Sequence, residues 1–146
     1  MPTLWVRHAT ASPSQVRHSL GLALEQAGAG EADRFDAALI ASELVGNAVR
    51  HAPPLAFGQL RVEWSVDEDS FRIAVTDGGG VHELSAGQAT QFDTTGRGLA
   101  IVAAVTEDWG VTNNGDSTTV WARRRLSEPL RGSGSDREAG PMYATG

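Results

Sequence analysis

Apolar positions recur along the chain with two different periods, and the change between them divides the sequence. Residues 3–8 (TLWVRH) read as a short strand. Ser12 follows as a helix N-cap with Pro13 at the first helical position, and Val16, Leu20 and Leu24 recur at i, i+4 and i+8. The run AGAG at 27–30 ends that helix. A second helix is predicted from about Glu31 to Ala52, with acids in its first turns where the helix dipole favours them, and Pro53-Pro54 stops it. The period then falls from 3.6 to 2. Leu60, Val62, Trp64 and Val66 alternate with Gln59, Arg61, Glu63 and Ser65; after the turn DEDS, Phe71, Ile73 and Val75 alternate with Arg72, Ala74 and Thr76. This is a hairpin with one face on the core.

A loop with six glycines, DGGGVHELSAGQATQFDTTGRG, comes next. A third helix is predicted from about Gly98 to Glu107, with Leu99, Val102 and Ala103 inward. Trp109–Asn113 and Thr118–Arg124 form a second hairpin around Asn114-Gly115. Residues 1–126 read as one domain and 127–146, polar and rich in Gly and Ser, as a disordered tail. Antiparallel hairpins with helices collected on one face predict an α+β two-layer sandwich; a doubly wound sheet is excluded because the hairpins leave no room for crossover helices.

Composition removes several chemistries. All 12 basic residues are arginine, and the chain has neither lysine nor cysteine. A Walker-A lysine, a Schiff base, a thiol nucleophile and a Cys-built zinc site are therefore impossible. The formal charge of −6 argues against direct nucleic-acid binding, which depends on neutralising phosphates. The run Arg123-Arg124-Arg125 reads as a strand end at the surface. With no signal-peptide core and no apolar run near the ~18 residues needed to span a bilayer, a cytoplasmic protein without membrane contact is expected. Arginine in place of lysine, with abundant Ala and Gly, points to a GC-rich bacterial genome.

Three features carry candidate chemistry. On the second helix, Glu43, Asn47 and Arg50 fall together on the side opposite the apolar face, with His51 beside them. Alone, this is also how a solvated helix face looks. Asp77 ends a strand expected to be internal and precedes Gly78-Gly79-Gly80, a pattern that turn chemistry alone can explain. Gly96-Arg97-Gly98-Leu99 opens a helix, where glycines and free N–H groups suit an anion such as a phosphate. His8, His18 and His82 lack metal-ligand spacing and read as surface or loop residues; the four tryptophans, all in strands, read as packing.

In this order and near these spacings, the three features resemble the Bergerat (GHKL) ATP-binding fold. E43-L-V-G-N47-A-V-R-H51-A is similar to that family's N box, D77-G-G-G to its G1 box and G96-R-G98-L to its G2 box, and Thr119 matches its late-strand threonine. The likeness spans roughly residues 5–125 and is greatest to the short bacterial anti-sigma regulatory serine/threonine kinases. It implies a mixed, mostly antiparallel sheet with helices on one face, and it implies ATP and Mg²⁺ as cofactors. By the same resemblance, Glu43 is the general base toward an attacking hydroxyl and Asn47 the Mg²⁺ ligand, with Arg50 and His51 completing the box. Asp77 accepts from the adenine amino group, Gly79 gives the base room, Gly96, Arg97, Gly98 and Leu99 enclose the phosphates, and Thr119 lies near the adenine. The family's second G1 glycine is Val81 here, and residues 81–95, the lid by this resemblance, are few.

The function so implied is an ATP-dependent serine/threonine kinase acting on a small anti-anti-sigma partner and binding a sigma factor as the alternative partner. Two copies pairing through a helix and a sheet edge is part of the same expectation. Val81 and the short lid motivate an alternative, an ATP-gated module that sequesters its partner without phosphotransfer. A purely structural α+β domain would bind no nucleotide.

Overall fold

The computed structural model describes residues 2–79 and 102–131. Its elements are β1 (Thr3–Arg7), α1 (Ser12–Gln26), α2 (Glu31–His51), β2 (Gln59–Val66), β3 (Ser70–Asp77), β4 (Asp108–Asn113) and β5 (Thr118–Arg125). Residues 102–105 are also helical. The sheet order is β1-β2-β3-β5-β4, with every neighbouring pair antiparallel. The sheet is thus wholly antiparallel among the described strands rather than mixed: both hairpins pair internally, and β5 inserts between β3 and β4.

The helices lie on one face. Val16, Leu20 and Leu24 of α1, at most 2% exposed, meet Ile40, Ala41, Leu44 and Val45 of α2 and Leu60, Val62, Ile73 and Val75 of the sheet in a single core. Spacing of 3.6 on the helices and 2 on the strands sends these side chains to one interface. Val102 joins this core, whereas Ala103 is exposed, contrary to its expected inward position. No described helix is long and apolar enough to cross a membrane.

Three local expectations change. The N-cap of α1 is Ala11, not Ser12; the buried Ser12 hydroxyl donates instead to the Arg7 carbonyl, tying the helix start to the end of β1. Arg124 is not a surface residue. Inward Val120 and Ala122 share its strand parity, so Arg124 faces the helices, where it pairs with Asp33 and Asp36 of α2. Arg123 and Arg125 point outward toward Glu107 and Asp108.

Residues 127–131, assigned from the sequence to the polar tail, are held against the domain. The Ser127 N–H donates to the Asp33 carboxylate, Leu130 packs on the core, and the Arg131 N–H donates to the Gly28 carbonyl at 2.7 Å. Gly28, at φ +92°, ends α1, with its own N–H and that of Ala29 closing onto Glu25 and Leu24. A Cβ there would lie 2.0 Å from the Arg131 carbonyl oxygen, so the crossing requires glycine. Residues 132–146 lie outside the described residues.

Candidate functional site

Central position in the sheet and burial under a helix place the candidate residues. β3 is the third of five strands, α2 packs over it, and Asp77 is its last residue. Leu44, Asn47 and Ala52 of the helix side face Val75, Asp77 and Val120 of the sheet across a narrow space of about 10 Å³. That is room for about one water, so these residues form the closed floor of a site and not a finished ligand cavity.

Asn47 is only 5% exposed, so the alternative of a merely solvated helix face does not hold for it. α2 is flanked by α1 and β3, which leaves it little free circumference. The Asn47 Oδ1 accepts from the Arg50 guanidinium at 3.1 Å, while its Nδ2 is buried with no hydrogen-bond partner among the described residues. A buried amide donor left unpaired costs roughly 1–3 kcal/mol, so this N–H is a group that a bound water or ligand atom would satisfy. Gly46 leaves the space through which Arg50 folds back, since a Cβ there would meet the guanidinium at 3.2 Å. Glu43 is half-buried one helical turn before Asn47; Arg50 and His51 are exposed at the end of α2.

Asp77, also 5% exposed, accepts from the Gly79 N–H at 2.7 Å. Burial pushes its pKa up to about 6, against the pull of that N–H and of nearby His8. A Cβ on Gly79 would stand 2.8 Å from the Asp77 Oδ1 and 3.1 Å from the Thr118 Oγ1, so only glycine keeps this cradle open. Gly78 is pinned on the other side, where a Cβ would meet the Pro54 carbonyl oxygen at 2.1 Å.

Thr119 does not join the site. It pairs across the sheet with Thr76, hydroxyl to hydroxyl at 2.7 Å, on the face away from the helices. Its neighbour Thr118 is buried opposite Asp77 and donates to the Gly79 carbonyl. Strand parity was the available signal, because inward Val120 and Ala122 make residue 118, not 119, share their face.

Residues 6–124 match the histidine kinase-like ATPase domain family. The chain belongs to that family. The GHKL resemblance carried by the three boxes therefore holds, and the α+β sandwich is the fold the family match requires. Among solved structures, the chain is similar to the RsbU and RsbW domains of Rv1364c from Mycobacterium tuberculosis, with 25% identity and a TM-score of 0.60 over 90% of this chain and 34% of that one. It thus spans about a third of that structure's length. The Acinetobacter baumannii histidine kinase AdeS matches at 19% identity and TM-score 0.49, covering 88% of this chain and 69% of its own. No curated protein matches.

The stretch that resembles the N box occupies the second half of α2 and the stretch that resembles the G1 box begins at the end of β3, so the two meet at the floor described above. The G2 residues Gly96, Arg97, Gly98 and Leu99, and Val81 with the lid stretch 81–95, lie outside the described residues. His8 was read from the sequence as a surface or loop residue. It is half-buried, and its Nε2 lies 2.6 Å from the Ala52 carbonyl oxygen at the end of α2. No sequence spacing signals that contact, because its partner is a backbone carbonyl 44 residues away.

Proposed function

We propose that the chain is an ATP-binding anti-sigma regulatory factor with serine/threonine kinase activity toward a small anti-anti-sigma partner, and that a sigma factor is its alternative partner. The observation that carries this reading is the convergence of Asn47 and Asp77 on one buried floor, with Glu43 one turn before Asn47. The Asp77 carboxylate and the glycine cradle suit an adenine edge, because a carboxylate accepts from the exocyclic amine and would repel the carbonyl oxygen of guanine. Glu43 is the general base in this reading: it takes the proton of the partner's serine hydroxyl as that oxygen bonds to the γ-phosphorus and the bond to the departing ADP breaks. Arg97 and the amides at 96–98 are assigned to the phosphates, with Arg50 and His51 at the same helix end.

Asn47 is the proposed Mg²⁺ ligand. Its donor fits: an amide oxygen is a hard ligand with two lone pairs, one engaged by Arg50, and Mg²⁺ on a nucleotide commonly needs only one or two protein ligands. Bound there, the ion would neutralise phosphate charge that no lysine in this chain can meet. A second reading, sequestration of the partner without phosphotransfer, is favoured by the Arg50 guanidinium seated on the same amide oxygen.

Incubation with γ-labelled ATP and the captured partner tests the choice. Transfer to a partner serine, abolished by Glu43→Ala with nucleotide binding kept, is the expected outcome. Transfer that survives Glu43→Ala removes the base assignment, and stoichiometric partner binding without transfer selects the second reading.

A further inference from the structure

The segment from Ala52 to Gly58 joins α2 to β2 and borders the floor of the site. Pro53 and Pro54 lack N–H groups, so beside the Ala52 and Leu55 N–H bonds to Ala48 and Gln59 this stretch is fastened through carbonyls. Ala52 O meets the His8 imidazole at 2.6 Å, Pro53 O accepts from the Gly78 N–H at 2.9 Å, and Gly58 O accepts from the His8 N–H at 2.9 Å. Two of these three contacts come from His8, one through its ring and one through its backbone N–H, and the third comes from the residue that follows Asp77. A carbonyl only accepts, so the His8 Nε2 must carry a proton in this arrangement. The ring also lies close enough to Asp77 for its charge to act on that carboxylate.

We propose that His8 is a positioning residue for base recognition: its imidazole, by holding the Ala52 carbonyl, keeps the end of α2 pressed against the strand end that carries Asp77 and so sets the width of the adenine-reading floor. His8 acts through Ala52 and Gly78 and needs no contact with the nucleotide. The inference rests on the nucleotide reading of the site. A contact that served only stability would lower the melting temperature and leave affinity unchanged well below it. A positioning contact changes affinity as well, and a side chain that restores only the N–H rescues it.

Mg-ADP titrations of the full chain, wild type, His8→Leu and His8→Gln, provide the test, each run well below that variant's melting temperature. His8→Leu should weaken ADP binding about tenfold, the scale of one lost hydrogen bond, and His8→Gln should recover to within about twofold. Equal affinities in all three proteins would overturn the proposal. Two measurements need no nucleotide. Amide exchange at Gly78 and Gly79 should accelerate in His8→Leu and recover in His8→Gln; unchanged protection counts against the proposal. The imidazole nitrogen shifts of wild type should report a protonated Nε2, and a neutral ring protonated at Nδ1 alone overturns it even if His8→Leu does not fold. A wild type that binds no ADP while the exchange pattern holds would instead remove the nucleotide reading and leave His8 as a structural brace.

Discussion

Asp77 shows the cost of building the site. Its carboxyl, held near pKa 6 against an ordinary 3.8, binds its proton more tightly in the folded chain than in the unfolded one. Burial of this carboxylate therefore destabilises the fold above pH 6, by about 3 kcal/mol at the conversion of 1.36 kcal/mol per unit, and that loss is recovered as pH falls through 6 toward 4. Asp77→Asn keeps an oxygen for the Gly79 N–H and removes the charge. Thermal melts at pH 7.5 should thus show the variant several degrees more stable than wild type, with the gap closing near pH 4; a variant less stable at pH 7.5 would contradict the burial argument. Nucleotide affinity should move the other way with pH. If the carboxylate form reads the base, affinity falls as pH drops through about 6, approaching tenfold per unit below it. At this scale chemistry and spacing singled out Asn47 and Asp77, and the structure brings these two to one floor. The sequence was misleading for Thr119, where a letter match outweighed strand parity, and silent for His8, whose partners are backbone carbonyls.

The two hairpins and both long helices were readable from periodicity, with ends shifted by only a residue or two. Burial on one face of each element imposes its period strongly. Arg124 escaped this reading because a run of three arginines resembles a solvated strand end, although inward Val120 and Ala122 already assign it to the helix-facing side. There it clamps the start of α2: its side chain is 12% exposed, Asp33 is 1% exposed, and Ser127 and Glu128 donate their N–H groups to the same Asp33 carboxylate. Breaking a buried pair leaves an uncompensated charge and costs roughly 3–5 kcal/mol. Chemical denaturation of Arg124→Leu should show a loss of that order, while nucleotide affinity measured below its melting temperature stays within about twofold of wild type. The clamp acts at the first turn of α2, whereas Asn47 and Ala52 stand at its last turns. A large affinity loss in folded Arg124→Leu would mean that the two ends of α2 are coupled.

At the scale of the whole molecule, the antiparallel sheet gives α2 one long contact, with a structural clamp at its beginning and the candidate site at its end. The absence of lysine is compatible with this plan, because the proposed base contact needs only the Asp77 carboxylate and the glycine turn, and the proposed phosphate contact falls to Mg²⁺ on Asn47 and to arginine. Fold class was legible because hairpins and helix positions leave few alternatives. The wholly antiparallel pairing of the described strands was not, since strand order depends on contacts between distant segments. The central claim is that a nucleotide base is read at the meeting of α2 and β3, and calorimetric titration with Mg-ATP and Mg-GTP at pH 7.5, in wild type and Asp77→Asn, tests it most directly. The account predicts that wild type binds ATP in preference to GTP and that Asp77→Asn, although folded and more stable, loses most of that affinity. Undiminished ATP binding by Asp77→Asn, or a wild type that binds neither nucleotide, would contradict it.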